Sequence, residues 1–262
     1  MIAIDKLISH RASLYGFGRV ARALRTMAAA RLHQAHQAQI VADLQVQTLF
    51  QIIARLGGID APCPSLPPFV IVVGPEHGFT GNMSARLLDE AAGMQPGDFL
   101  LVGAALVREA RIRRFEAGTL SLAAHIKAAR ITADQVNAEI STRADSRPVG
   151  ILAADPMTLQ LTYQRLFPVQ IKPLDHKIAP LIHLPARDLI PALTMRYRRA
   201  IVDRAIIGAI AAENRARRQR LDNALDGVDE RLDQLDRELA RARQDAITVE
   251  LGDLIGGIIS AA

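Results

Sequence analysis

Three glycines, Gly74, Gly78 and Gly81, follow the apolar run of residues 67–73 and precede a helical pattern. A backbone cradle for phosphate forms at such places, because free N–H groups at a helix N-terminus attract anions. The spacing excludes both familiar versions. A P-loop needs G-x-x-x-x-G-K-[ST], whereas here the order is Gly74-x3-Gly78-x2-Gly81, with no lysine between Leu7 and Ile126. The dinucleotide pattern G-x-G-x-x-G is missing too, since the first two glycines stand too far apart. The glycines are read as letting the chain turn sharply against its neighbours.

Other chemically capable residues are scattered. Glu76 and His77 sit on the same loop without a nucleophile beside them. His33 and His36 can share one helical face, but no acidic or cysteine ligand accompanies them, so no metal site is expected. Asp155 before Pro156 reads as a turn former. No catalytic site, cofactor or metal centre is expected in this chain.

The elements that carry these residues are mostly helical. Of 262 residues, half are apolar and 4% aromatic, with no Trp. Ala, Leu, Ile and Arg dominate, and Ala, Leu and Arg lose little on entering a helix. A single cysteine, Cys63, excludes an internal disulfide framework and fits a reducing compartment. No stretch approaches the roughly 18 apolar residues of a membrane span. The N-terminus enters a helical pattern without a secretory h-region, so no targeting segment is expected.

The proline map divides the chain. All 13 prolines lie from Pro62 to Pro191, leaving residues 1–61 and 192–262 free of them. Because proline interrupts helices, the expected order is a helical arm (1–61), a globular insert (62–185) and a second arm (186–262). In the second arm Leu221, Leu225, Val228, Leu232, Leu235, Leu239, Ala242, Ala246 and Val249 recur at spacings of four and three, a coiled-coil seam of about four heptads. The first arm repeats the beat from Leu14 and Gly18 through Ala21, Ala28, Leu32 and Ala35 to Val46 and Ile53, with Arg25 and Gln39 interrupting. Neither stripe is buried alone, so the arms are expected to pair antiparallel. At about 1.5 Å per residue the second would be on the order of 100 Å long and would project beyond the insert.

The insert alternates strands and helices. Strands are expected over 67–74, 98–106, 147–155 and 159–172, and helices over 80–93 (capped by Thr80 or Asn82) and 121–142. The fold class is therefore α/β: a long antiparallel coiled coil of the terminal helices, with a small Rossmann-like α/β domain inserted between them.

Charge is uneven. Net charge is +5, which suggests acidic partners. Arginines at 11, 19, 22, 25 and 31 make the first arm basic, as do Arg196, Arg198, Arg199, Arg204, Arg215, Arg217, Arg218 and Arg220 the start of the second; from Asp222 onward acids predominate. Such clusters could meet an acidic protein ring or nucleic-acid phosphate. Yet the basic segments lack stacking aromatics and any nucleic-acid reader motif. The apolar tail LGDLIGGIISAA is expected to be sheltered inside a partner.

Four segments resemble the gamma subunit of rotary F-type ATP synthases, as a divergent member. RALRTMAAARL from Arg22 to Leu32 is similar to that family's "KAMKMVAAAKL", HGFTGN from His77 to Asn82 to its "RGLCGGLN" loop, and AENRAR from Ala212 to Arg217 to its "SEHAAR". ARQDAITVEL, from Ala242 to Leu251, is close to its "ARQASITQEL" box and is the most specific match. The loop cysteine is Thr80 here, the N-terminal methionines are reduced to Leu24 and Met27, and no family role attaches to Arg196–Arg199. The resemblance implies a central-stalk rotor, coupling ion flow through a membrane c ring to ATP synthesis or hydrolysis at beta subunits. Implied partners are the alpha–beta hexamer, the epsilon subunit and the c ring. The implied place is the cytoplasmic face of the bacterial inner membrane, without direct membrane insertion. It implies subunit contacts at Leu24, Met27, Arg31, Glu213, Arg217, Arg243, Gln244, Thr248 and Glu250. The residues taken alone also allow a free-standing coiled-coil adaptor carrying an α/β binding domain.

Overall fold

The computed structural model describes residues 2–62, 64–94, 98–143, 147–174 and 182–260, with side chains only from 4 to 252. The expectations for Cys63 and for shelter of the apolar tail fall outside the described residues or side chains. Helix α1 runs Ile2–Arg55. It stops where Gly57 and Gly58 take positive φ (113° and 73°), Gly58 N donating back to Ile53 O at 2.9 Å. After the two-residue strand β1 (Ile59–Asp60) come β2 (Phe69–Val73), α2 (Met83–Gly93), β3 (Asp98–Val102), α3 (Ala104–Ile112), β4 (Gly118–Leu120), α4 (Ile126–Arg143), β5 (Val149–Ala154), β6 (Leu161–Phe167), β7 (Gln170–Ile171) and α5 (Ala186–Ser260). Two compact units result: Met1–Met27 with Gln219–Ala262, and Ala28–Arg218.

In the first unit the ends of α1 and α5 pair antiparallel. Leu221, Leu225, Val228, Leu232, Leu235 and Leu239 are all buried, as are Gly18 and Ala21 of α1. Ala21, Leu221 and Leu225 form one apolar cluster, with Leu24 against it. Ion pairs flank the seam in falling order: Arg11 Nε to Asp236 Oδ1 at 2.7 Å, Arg22 Nη2 to Asp229 Oδ1 at 3.1 Å, Arg25 Nη1 to Asp222 Oδ1 at 3.3 Å. The basic stretch of the first arm thus meets the acidic stretch of the second, which accounts for the charge split. Exposed pairs of this kind contribute about 0–1 kcal/mol each, so they set direction and register more than stability. The seam ends earlier than expected. Ala242 and Ala246 are only half-buried, and Val249 is 62% exposed.

In the second unit a five-stranded sheet has the order β4-β3-β2-β5-β6, parallel except for β6. Strand β2, FVIVV, is wholly buried because the sheet is covered on both faces. Phe69, Ile71 and Val73 join Leu32, Ala35 and Val46 of α1, Ala133 and Val136 of α4, and Ile206 and Ile210 of α5. Val70 and Val72 point the other way, onto Leu87 and Leu88 of α2 and Leu106 of α3.

Several boundaries differ from expectation. The strand expected over 98–106 ends at Val102, and 104–112 is helix α3, since Gly103 at φ 126° turns the chain. The helix expected from 121 begins at Ile126, preceded by the unforeseen β4. The segment 159–172 is two strands: Pro168, which has no N–H for a ladder, separates β6 from β7, and β7 pairs with β1 instead. Asn82 is the N-cap of α2, but its side chain makes no capping bond.

Candidate functional site

Strand order reverses between β2 and β5: the chain passes from β2 to β3 and β4 on one side, then returns to β5 on the other. Ligands of open α/β sheets bind at the carboxyl ends of the strands beside such a switch point. The glycine loop after β2 lies there, and the chain fills the place itself. Glu76 Oε2 accepts N–H bonds from Ala104 and from Leu122, both at 2.8 Å. Gly103 N donates to Leu120 O at 2.9 Å, and Ala105 N and Leu106 N donate to Pro75 O at 3.1 and 3.3 Å. The N-cap Gly103 and Ala104, Ala105 and Leu106 carry the four N–H groups without a partner inside α3, the donors an anion would use. A carboxylate of the loop stands where a phosphate would. Close approach is obligatory: a Cβ on Gly103 would lie 2.5 Å from Gly74 O and 2.7 Å from Pro75 O.

Helix α5 clamps the same loop from outside the sheet. Glu213, 3% exposed, accepts Glu76 N at 3.0 Å through Oε2, and His77 N at 3.2 Å through Oε1. His77 Nδ1 stands 3.2 Å from the same Oε1. Arg217, 6% exposed and one turn on, pairs with Glu213 Oε1 through Nη2. Its Nε donates to Gly78 O at 3.2 Å and its Nη1 to Asn214 Oδ1 at 3.2 Å. Ala212 and Ala216 pack in one cluster with Leu152 and Ala154 of β5. Residues 75–78 of the loop are thus tied to α3 and α5.

The implied contact residues fall into two sets. Glu213 and Arg217 are turned into their own unit and hold the loop, with little of either side chain exposed. The others remain accessible to different degrees. Leu24 is half-buried on α5, Arg31 is half-buried, and Met27 is 50% exposed. Arg243, Gln244, Thr248 and Glu250 are exposed, with Thr248 Oγ1 donating to Gln244 O at 2.9 Å. The role that sequence reasoning missed is that of Glu76, whose partners are backbone N–H groups and leave no side-chain signature. Glu213 and Arg217 did carry a signal: opposite charges four apart on one helix face.

The remaining candidates are structural. Asp155 Oδ1 accepts Met157 N at 2.9 Å, Thr158 N at 2.7 Å and Thr158 Oγ1 at 2.9 Å, closing the expected turn. The Thr158 N–H above all holds its pKa below the usual carboxylate value, against the opposing effect of burial. His36 lines a cavity of about 590 Å³ with Gln39, Asp43 and Arg204. Burial first, then Arg215 and His33, push its pKa down. His33, on the exposed side, does not join a ligand set. Among the described residues no three His, Cys, Asp or Glu side chains group as metal ligands, and no helix is long and apolar enough to cross a membrane.

The family model for ATP synthase matches residues 6–260 of this chain. The ATP synthase gamma chain of Campylobacter jejuni is 33% identical over 106 residues, 40% of this chain and 36% of that one. That of Clostridium perfringens is 28% identical over 102 residues, 39% and 36%. The aligned stretch therefore spans little more than a third of those relatives. A chain in the cryo-EM structure of the Euglena gracilis mitochondrial ATP synthase OSCP/F1/c-ring superposes with a TM-score of 0.69 at 14% identity, covering 98% of this chain and 94% of that one. A chain of the Tetrahymena thermophila mitochondrial central stalk/c-ring gives 0.55 at 12%, covering 78% and 99%. These likenesses concern the fold.

Proposed function

Since this chain belongs to the gamma-chain family of ATP synthases, we propose that it is the central-stalk rotor of an F-type ATP synthase. It converts ion flow through a membrane c ring into ATP synthesis, or the reverse, at the catalytic sites of beta subunits. The observation that carries this reading is the paired arms. The seam of α1 on α5 is fully buried as far as Leu239 and half-buried at Ala242 and Ala246, while the other faces of α5 leave Arg243, Gln244, Thr248 and Glu250 exposed.

Two unlike helices wound together have no rotational symmetry. Inside a ring of alternating alpha and beta subunits, such a pair presents a different face to each beta subunit. Differential contacts shift each site's conformational population, and turning the pair moves every site through binding, reaction and release. The chain needs no catalytic site for this. We assign the accessible residues Leu24, Met27, Arg31, Arg243, Gln244, Thr248 and Glu250 to contacts with the hexamer. The division into arms at 1–61 and 186–262 and an insert at 62–185 gives the insert to the epsilon subunit and the c ring. The rotor is peripheral, on the cytoplasmic face of a bacterial inner membrane.

The test is assembly and turnover. Co-expression with alpha and beta subunits yields one co-purifying complex; a lone homodimer supports the adaptor alternative instead. In that complex Gln244→Ala with Thr248→Ala lowers ATPase turnover by about tenfold, the rate equivalent of ~1.4 kcal/mol. Both side chains are exposed, so the isolated chain keeps its melting temperature. Unchanged turnover counts against these contacts.

A further inference from the structure

The basic stretch near the start of α5 has no part in the rotor reading, and its arginines do not share one environment. Arg198 is half-buried, its guanidinium 5.1 Å from the ring centroid of Phe167. Arg196 and Arg199, three apart and so on one face, line a cavity of about 580 Å³ with Arg130 of α4. Gln45 and Thr48 of α1 supply neutral hydrogen-bonding groups, and Asp203 is the lining carboxylate. The charges do not cancel. Arg199 Nη2 holds Asp134 Oδ1 at 2.6 Å, whereas Arg130 and Arg196 close no ion pair with another described residue. Asp203 is half-buried, and burial above all raises its pKa; Asp134 adds to the rise, while Arg130 and Arg199 oppose it.

Guanidinium groups present planar forks of donors that match oxyanions. Three forks on two helices face two carboxylates, Asp203 and the Asp134 that Arg199 holds, so positive charge stays in excess in the cleft. A tetrahedral, multiply charged oxyanion satisfies these forks. The cavity is of the size that holds small molecules, about 300–1,000 Å³. We infer that the cleft between α1, α4 and α5 lined by Arg130, Arg196 and Arg199 is a binding site for a phosphate group. The phosphate belongs either to a soluble phosphorylated molecule or to an anionic lipid headgroup, and the two sources are separable by experiment. The inference is independent of the rotor reading.

The full-length chain is titrated calorimetrically with inorganic pyrophosphate, and co-sedimented with phosphatidylcholine vesicles with and without phosphatidylglycerol. Saturable binding of pyrophosphate is expected, weakened about tenfold or more in Arg130→Ala/Arg196→Ala. In Asp203→Asn it tightens about fivefold, because a like charge has been removed. A misfolded variant cannot mimic that gain. Binding to the anionic vesicles alone, with the same response to the variants, assigns the site to a headgroup. Binding of neither probe, or equal binding by the native chain and Arg130→Ala/Arg196→Ala, overturns the proposal and leaves a solvated basic face.

Discussion

Replacing Glu213 by alanine is expected to destabilise the α/β unit by about 3–5 kcal/mol, the cost of removing one member of a buried ion pair. The expectation follows from what remains behind. Arg217 keeps a buried charge without its carboxylate, and the N–H groups of Glu76 and His77 lose their acceptor. Removing both partners is less harmful than the two single losses added together, since Arg217→Ala abolishes the charge that Glu213→Ala strands. Chemical denaturation of Glu213→Ala, Arg217→Ala and the double variant measures this cycle. A loss under ~1 kcal/mol for Glu213→Ala, or simple additivity, would show that the loop is held by something else. The consequence for function lies downstream: the loop after β2 is anchored to α5, so displacement of that helix segment reaches the sheet through rigid bonds.

The second large effect belongs to the arms. Leu235 is 0% exposed in the seam, and truncating a fully buried leucine to alanine costs about 2–5 kcal/mol. In Leu235→Ala the loss is expected in the unit formed by the two chain ends, not in the sheet. Hydrogen exchange reads the difference: amides of residues 221–239 exchange faster, while those of β2 and β5 keep their protection. Equal loss throughout would mean that the arm pair has no stability of its own. A rotor needs that stability, since torque passes along the arms only while they remain wound together.

How far the sequence foretold this depends on the physical origin of each feature. Leu221 to Leu239 announced the seam because a coiled coil writes its packing as a local period. FVIVV announced β2 because a strand buried on both faces is apolar throughout. Helix α3 was not legible: Ala104, Ala105 and Leu106 continue the apolar run of β3, and the break is the backbone conformation of Gly103. Strand β4 has three residues, none fully buried, too few for alternation to register. The site was legible only by halves. The glycine spacing ruled out a phosphate cradle, but the reason the loop has that shape is Glu76 reaching residues 104 and 122. Those contacts are long-range and made to backbone, so no spacing records them. The i, i+4 spacing of Glu213 and Arg217, by contrast, offered them to each other, and they pair.

One measurement bears most directly on the claim that this chain turns inside other subunits. A complex of the chain with alpha and beta subunits is fixed to a surface through the hexamer, and a bead is attached to an exposed residue of the α/β unit. On adding ATP, the account predicts sustained rotation of the bead in one direction, slowed in Gln244→Ala/Thr248→Ala. A bead that stays still while the complex hydrolyses ATP at its full rate would contradict it.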